Sequence, residues 1–221
     1  KKTLDQMNAS AQEDTVTGQT IAKWAEGLER IRNLVQGNLG KAADLVRSFK
    51  QTTADVSRVE WRKIQLQAFL ESLLISVSPL MRRAHCDVTL SAPEHLSIQT
   101  EPGSLSQIIT NLLLNASVHA FDGLEDRRIK IMVTAGADTI VISVADNGNG
   151  MSNEAIANAF TPFFTTRRGQ GGSGLGLFSS RRVVENTLGG RLSFESTSGL
   201  GTTFKIELPV RPPSLSAESK S

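Results

Sequence analysis

The chain has 221 residues, of which 39% are hydrophobic and 21% are charged, as expected of a soluble protein with one large or two modest domains. The formal net charge of +2 is too small to indicate nucleic-acid binding on electrostatic grounds, and no apolar run is long enough to span a bilayer. Cys86 is the only cysteine, which excludes an intramolecular disulfide, favours a reducing compartment and suggests a structural thiol near the start of a strand.

The N-terminal part predicts one long amphipathic helix over residues 18–57. Apolar residues recur there at intervals of three and four, and polar residues fill the other face. Such a stripe needs a partner helix, in this chain or in a second copy, or a surface of its own domain to pack on. A short helix over 2–12, joined by a turn at 14–18, could supply part of that partner. The stripe comprises Ile21, Trp24, Leu28, Ile31, Leu34, Val35, Leu39, Ala42, Leu45, Val46 and Phe49.

Beyond residue 60 the apolar pattern changes between helical and strand periods. An amphipathic helix is expected over 66–84, and Pro102 suits the first turn of a second helix that runs to about Ala120. The segment 151–173, rich in Gly, Asn, Thr and Arg, predicts a long loop with one short helix. The tail 212–221 predicts disorder. The other expected elements are strands at 87–90, 96–99, 128–135 and 139–145, a helix at 174–187, and a hairpin of strands at 191–196 and 202–208.

Five short blocks occur in this region in a fixed order. They read NLLLNA at 111–116, DNGNGM at 146–151, FTPFFTT at 160–166, GGSGLGL at 171–177 and GLGTTF at 199–204. One such block is a weak signal, because acidic residues and glycines also cluster in ordinary turns. Together the blocks resemble the N, G1, F, G2 and G3 boxes of the sensor histidine kinase catalytic domain, in the ATPase superfamily shared with DNA gyrase, a heat-shock chaperone and a mismatch-repair protein.

The resemblance, which covers residues 62–210, implies an α+β fold. We expect a two-layer α/β sandwich of the Bergerat type, with helices on one face of a mixed sheet. The expected regions are part of a helical dimerisation and phosphotransfer hairpin over 1–60, an ATP-binding catalytic domain over 61–211, and the disordered tail. The expected ligands are ATP and Mg²⁺.

Asn111 and Asn115 lie four residues apart on a predicted helix, so both side chains face one way. An amide oxygen can complete the shell of a magnesium ion that phosphates and water otherwise hold, and the resemblance makes Asn115 that ligand. Asn111 stands where ATP-hydrolysing relatives carry a catalytic Glu; an amide cannot act as that base, so transfer to an acceptor is favoured over hydrolysis. His119, on the same face, is either a nucleotide contact or structural, and Val118 replaces a lysine that touches phosphate in many relatives.

Asp146 ends an apolar strand, where its carboxylate could accept a hydrogen bond from the amine of adenine and so distinguish ATP from GTP. Gly148 and Gly150 would let the backbone turn sharply and approach the base. Thr202 could hold the adenine side through its hydroxyl. A structural turn is the simpler alternative for this block taken alone.

The segment 151–173 resembles a mobile ATP lid, and the glycines after it precede a helix whose N-terminal amides could bind phosphate. Aromatic residues in such lids dock on the helical hairpin, with ordinary packing as the alternative for Phe160, Phe163 and Phe164. The remaining expected ATP-binding residues are Phe163, Phe164, Thr165, Gly172, Ser173, Gly174, Leu175, Gly176 and Leu177.

The histidines of the chain are His85, His95 and His119, and none is followed by the acidic residue and nearby proline of a phosphoacceptor. The resemblance therefore predicts no phosphoacceptor in this chain, an acceptor before Lys1, and a fragment unable to phosphorylate itself. The expected partners are a response-regulator receiver domain and a second copy bound through the hairpin, with no nucleic acid. The expected location is cytoplasmic, in a parent protein that could carry a membrane anchor.

The implied function is that of a protein histidine kinase of a two-component system, which transfers the γ-phosphoryl of ATP to a histidine and then to a response-regulator aspartate. The alternative is a catalytically silent nucleotide-binding scaffold of the same fold, which Val118 and the missing acceptor favour and the intact glycine boxes oppose. A third reading, an ATP-hydrolysing relative of the chaperone or gyrase type, is opposed by Asn111.

Overall fold

A computed structural model describes residues 21–32, 35, 60–166 and 173–210. Residues 21–32 form a helix, α1, as predicted, and residue 35 is also helical. The structure does not describe the rest of the helix predicted over 18–57. It also does not describe the predicted helix over 2–12, the turn at 14–18 or the tail. Ile21, Leu28 and Ile31 of the apolar stripe are exposed on α1. No helix in the described part of the chain combines the length and the apolar character needed to cross a membrane.

Helices and strands both occur in the described residues between 60 and 210. The helices of this region, within its described residues, are α2 (Leu66–Arg83), α3 (Pro102–His119), α4 (Asn153–Asn158) and α5 (Gly176–Asn186). The strands are β1 (Arg62–Gln65), β2 (Asp87–Ser91), β3 (Ser97–Thr100), β4 (Arg128–Ala135), β5 (Thr139–Asp146), β6 (Arg191–Thr197) and β7 (Gly201–Pro209).

Five of these strands form a mixed sheet in the order β2-β4-β5-β7-β6. The pair β2 and β4 is parallel, and every other neighbouring pair is antiparallel. The predicted hairpin is the β6–β7 pair. In the register of β5 and β7, Asp146 lies opposite Thr202, so two blocks that are distant in sequence meet where these neighbouring strands end and begin.

A two-stranded antiparallel ribbon of β1 and β3 stands apart from this sheet. β1 was not predicted, because its four residues carry one apolar side chain, Ile64, and therefore show no alternation. Ile64 pairs with Ile98 of β3, so the strand depends on its partner rather than on its own pattern. The two strands expected at 87–90 and 96–99 consequently belong to different sheets.

The core lies between one face of the five-stranded sheet and the helices. Alternate residues of β4, β5 and β7 are buried on that face, where they join buried residues of α2, α3 and α5 in one cluster. On the other face, Lys130 and Met132 of β4 are exposed. This alternation is typical of a sheet with one covered face, and it confirms the predicted two-layer fold with helices on one side. The buried strand residues include Ile129, Ile131, Val133, Ile140, Ile142, Val144, Phe204, Ile206 and Leu208.

Local sequence explains where the two helices that matter most begin. Glu101 precedes α3, and its carboxylate accepts hydrogen bonds from the backbone N–H groups of Gly103 and Ser104, which satisfies amides that a helix leaves unpaired. The helix predicted from Gly174 begins instead at Gly176, because Gly174 has φ of +69° and a right-handed helix cannot include that conformation.

Cys86 is buried one residue before β2. Burial and then the nearby negative charge of Asp87 raise the pKa of its thiol to about 11, so the side chain stays a protonated, unreactive thiol. This agrees with the structural role expected from the sequence.

The turn between β6 and β7 offers a matched pair of glycines. Gly199 and Gly201 both have positive φ, but a side chain would meet open space at Gly199 and the backbone oxygen of Asp146 at Gly201. We expect Gly199→Ala to cost about 1 kcal/mol, the penalty for the left-handed conformation, and Gly201→Ala about 3 kcal/mol or more, because it adds an overlap that backbone must relieve. Urea unfolding measures both; equal losses would contradict the close approach of β7 to Asp146.

Candidate functional site

A cleft of about 670 Å³ opens between the C-terminal half of α3, the segment that contains α4, and the start of α5. Its volume lies within the range of small-molecule sites. Residues from all five sequence blocks line it, so the fold brings together blocks that are up to about a hundred residues apart. The predicted site residues that line it are Asn111, Asn115, His119, Asp146, Gly150, Phe164, Thr165, Ser173, Gly174, Gly176, Leu177 and Thr202.

Three predicted residues do not line the cleft, and a fourth, Gly172, lies outside the described residues. Gly148 packs its Cα against Ala120. The space that a side chain would need is therefore occupied by the residue that follows α3 and is not open to a ligand. Leu175 is buried in the protein. Phe163 is 55% exposed and turns away at a positive φ of 66°.

The remaining lining residues were not predicted as contacts. Most are small or apolar. Helical spacing could have indicated some of them, since Leu114 and Val118 lie three residues beyond Asn111 and Asn115 on the same helix, and α4 supplies Ala155. These residues give the cleft apolar walls around a few polar groups. The full set is Leu114, Ala116, Val118, Ala120, Met151, Ser152, Ala155, Ala159, Thr166 and Phe204.

The asparagine pair lies one turn apart on α3, and both side chains face the cleft. The Asn111 amide donates from Nδ2 to Ser180 Oγ at 2.9 Å, and the structure records no hydrogen bond of the Asn115 side chain to another described residue. No group of three or more His, Cys, Asp or Glu side chains suited to a metal occurs among the described residues. One or two amide oxygens fit a magnesium ion that arrives with phosphates and keeps waters, rather than a dedicated metal cage.

Asp146 ends β5 at the cleft. Its Oδ1 accepts hydrogen bonds from the backbone N–H groups of Gly148 at 3.0 Å and Thr202 at 3.2 Å, whereas Oδ2 accepts none from the described residues. Burial raises the pKa of this carboxyl, and the two N–H bonds oppose the rise. A half-satisfied carboxylate in an apolar cleft can accept a hydrogen bond from a ligand amine.

The Thr202 hydroxyl is held within the protein. Its Oγ1 lies 2.9 Å from Ser196 Oγ, which also accepts a hydrogen bond from the backbone N–H of Met151. Sequence reasoning missed Ser196, because a serine in a strand gives no signal of the loop it will meet. The serine therefore ties the start of the segment at 151 to the β6–β7 hairpin beneath the cleft.

The segment predicted as a lid from 151 to 173 contains one short helix, α4, as expected. The Ser152 side chain accepts a hydrogen bond from Ala155 N and caps it. Phe160 packs edge-on against Phe194, with ring centroids 5.5 Å apart, and lies 4.9 Å beneath the guanidinium of Arg181. Phe160 is thus in ordinary packing contact with this part of the chain, and it anchors the first half of the segment.

The charge around the cleft is unusual for a phosphate site. Among its described lining residues there is no Lys or Arg, and Asp146 is the one carboxylate. The start of α5 carries no side-chain cap, so its first amides can meet an anion. His119 at the end of α3 lies 3.4 Å from Thr166 across the cleft, between Nδ1 and Oγ1. Neutral amides, rather than cationic side chains, are the donors offered here.

Comparison with protein families and curated sequences gives matches over this region. The model of a family described as "Histidine kinase-, DNA gyrase B-, and HSP90-like ATPase" matches residues 100–212. The sensor histidine kinase ZraS of Klebsiella oxytoca is 34% identical over 155 residues, which cover 70% of this chain and 32% of that protein. The signal transduction histidine-protein kinase AtoS of Escherichia coli is 31% identical over 176 residues, 78% of this chain and 28% of that protein. The chain thus spans about a third of the length of these relatives.

Solved structures show the same fold. The nucleotide-free catalytic domain of the histidine kinase ThkA superposes with a TM-score of 0.61 at 27% identity, covering 69% of this chain and 97% of that chain. The complex of ThkA with the response regulator protein TrrA gives a TM-score of 0.65 at 19% identity, over 93% of this chain and 56% of that chain.

The raised pKa of Asp146 predicts an effect on stability. The folded state binds a proton at this carboxyl more readily than the unfolded chain does, so the buried charge lowers stability once the pH exceeds the raised pKa, and this loss fades as acid protonates the group. Asp146→Asn keeps an oxygen for the two N–H donors and removes the charge. We expect the variant to be at least as stable as the parent at neutral pH, with a difference that shrinks in mild acid.

Denaturant unfolding at both pH values measures this difference, with Asp138→Asn on the exposed β4–β5 turn as the control for net charge. A large loss of stability in Asp146→Asn at neutral pH, absent from the control, would mean that the ionised carboxylate itself holds the strand ends together.

Proposed function

This chain belongs to the histidine kinase-, DNA gyrase B- and HSP90-like ATPase family, and on that premise we propose that it is the ATP-binding catalytic part of a two-component sensor histidine kinase. The proposed reaction is transfer of the γ-phosphoryl group of ATP to a histidine on a helical hairpin, followed by transfer to an aspartate of a response regulator. The curated relatives that match at 31–34% identity carry sensor or signal-transduction histidine kinase names.

One observation carries this proposal. The cleft holds a half-satisfied carboxylate, Asp146, on one wall, and the asparagine pair with the uncapped N-terminus of α5 on another. The first group suits the amine of adenine, and the second suits phosphates with their metal. A nucleoside triphosphate carries both kinds of partner in one molecule, and the apolar residues between these groups can pack on its base.

The residue roles follow from this placement. Asp146 would accept from the adenine amine, a group that guanine lacks at the matching position, and Thr202 would fix the Asp146 carboxylate through its backbone N–H. The amides at Gly174 and Gly176 would bind phosphate oxygens. Asn115 would offer its amide oxygen to magnesium, with Asn111 beside it on α3. Magnesium bound with the nucleotide would supply charge neutralisation at the phosphates.

Positioning and electrostatics would therefore provide most of the catalysis. Asn111 cannot accept a proton as a carboxylate can, so the site has no general base at the position from which a water would be activated. Without that base, transfer of the phosphoryl group to a supplied histidine is favoured over its transfer to water. The acceptor is not expected among His85, His95 and His119: the first two lie in turns at positive φ and the third ends α3 at the cleft.

The partners proposed for the parent protein are a second copy and a response regulator. Ile21, Leu28, Ile31 and Val35 are exposed at helical spacing, which suits a paired helix of a dimerisation hairpin. The solved ThkA complex contains a response regulator, and the same class of partner is proposed here. A silent nucleotide-binding scaffold is the second candidate, favoured by Val118 and by the lack of cationic side chains among the described lining residues.

Phosphotransfer to a supplied acceptor separates these two functions. We expect no label on this chain when it is incubated alone with radiolabelled ATP and magnesium, and acid-labile label on a separately made helical hairpin that carries the acceptor histidine of the parent protein. Labelled GTP serves as the control for base choice. Tight ATP binding without any label on the hairpin would favour the scaffold, and label on this chain alone would contradict the absence of an acceptor.

The metal role of Asn115 gives a second test. Asn115→Ala removes an amide oxygen from the cleft without disturbing a recorded hydrogen bond, so the fold should persist while ATP affinity in magnesium falls by about tenfold. Asn186→Ala, at the exposed end of α5, is the matched control. Calorimetry in magnesium and in a chelator measures the effect. A loss of the same size in both conditions would show that Asn115 acts on the nucleotide rather than on the metal.

A further inference from the structure

A partly buried hydrogen bond joins α3 and α5, the two helices that meet at the side of the cleft where the proposed phosphates would lie. Asn111 on α3 donates from Nδ2 to the hydroxyl of Ser180 on α5 at 2.9 Å. Ser180 is 5% exposed, so water competes little for its hydroxyl. Neither the glycine blocks nor the family resemblance pointed to Ser180, which lies outside all five blocks.

Gly176 restrains the same amide from a second side. A side-chain carbon at Gly176 would lie 2.5 Å from Asn111 Oδ1, so the amide rests on a bare Cα at the first residue of α5. Within residues 60–166 and 173–210, Oδ1 accepts no hydrogen bond, whereas Nδ2 is engaged by Ser180. The amide is therefore hydrogen-bonded to Ser180 at its nitrogen and packed against Gly176 at its oxygen.

We propose that Ser180 is a positioning residue that holds the side chain of Asn111 in one place against α5, at the side of the cleft where the proposed phosphates would lie. This inference rests on the proposed function of the cleft. An asparagine side chain with no fixed partner can occupy several rotamers of similar energy. Without the hydroxyl, the Asn111 amide would therefore occupy its place beside the cleft for part of the time only.

The same bond sets the spacing of the cleft. Asn111 lies one turn before Asn115, and Ser180 lies one turn after Gly176, so the contacts of Asn111 with Ser180 and Gly176 connect the asparagine pair to the helix N-terminus. A contact that only filled space would be served equally well by an apolar side chain at 180. A positioning role requires the hydroxyl.

Two variants that differ only in the hydroxyl separate these roles. Ser180→Thr keeps the hydroxyl, and Ser180→Val has the same shape without it, so any overpacking by the added carbon affects both alike. We expect Ser180→Thr to retain ATP affinity in magnesium and Ser180→Val to lose about tenfold, the effect of one hydrogen bond of ordinary strength. In an Asn111→Ala background the two variants should bind ATP equally, because the group being positioned is gone.

A nucleotide-free readout tests the contact itself. The side-chain amide protons of Asn111, assigned in NMR spectra by their loss in Asn111→Ala, should exchange slowly in the parent and in Ser180→Thr and rapidly in Ser180→Val. If the parent chain fails to bind ATP, the proposed function fails while this measurement still decides whether Ser180 holds the amide.

Two outcomes would overturn the inference. Equal affinity and equal amide exchange in the Thr and Val variants would reduce Ser180 to a packing residue. A loss in Ser180→Val that persists in the Asn111→Ala background would assign the effect to α5 rather than to Asn111. Should both branched variants unfold, as circular dichroism would reveal, Ser180→Ala adds no volume, and the same affinity and exchange measurements on it apply.

Discussion

The cleft is built on the strand register that places Asp146 opposite Thr202, where the Asp146 carboxyl lies between the two strand ends. One oxygen binds the backbone N–H of Gly148 in the following turn and that of Thr202 on the neighbouring strand. The second of these bonds links β5 to β7 at the point where both reach the cleft, beside the backbone pairing of the two strands. A slip of one residue would turn Thr202 to the opposite face. The geometry of the proposed adenine site is thus a consequence of strand register, and the free oxygen is what remains for a ligand.

The sequence predicted the parts of the site that depend on local pattern. The 3.6-residue period places Asn111 and Asn115 on one face of α3, and the glycines around 199 and 201 mark the turn of the β6–β7 hairpin. Contacts between distant residues gave no such signal. Ser180 is 69 positions from Asn111, and its role depends on how α3 and α5 pack. Gly148 is a second contact that the sequence could not indicate: we expected it to approach the base of a nucleotide, and it packs against Ala120.

Buried charge in the cleft opposes the stability of the empty protein. Asp146 keeps a carboxylate in surroundings that raise its pKa, and a ligand amine would relieve that cost by hydrogen bonding to the charged form. The folding free energy that the buried charge costs in the empty protein would therefore be recovered when a ligand amine binds. Asparagines carry no such cost, since a neutral amide is less expensive to bury than an ion. The site thus places its one carboxylate where selectivity for a base would require it and uses amides where phosphates would lie.

Among the described residues that line the cleft there is no Lys or Arg to neutralise phosphates. Backbone amides at the start of α5 carry only partial charge, so under the proposed function the magnesium ion bound with the nucleotide would add charge compensation that these amides do not provide in apolar surroundings. An amide oxygen that meets a metal ion must lie in a defined place. Under the same proposal, a hydroxyl that fixes the Asn111 amide beside that ligand would matter more than it would beside a lysine, whose charge acts at a distance and tolerates imprecise placement.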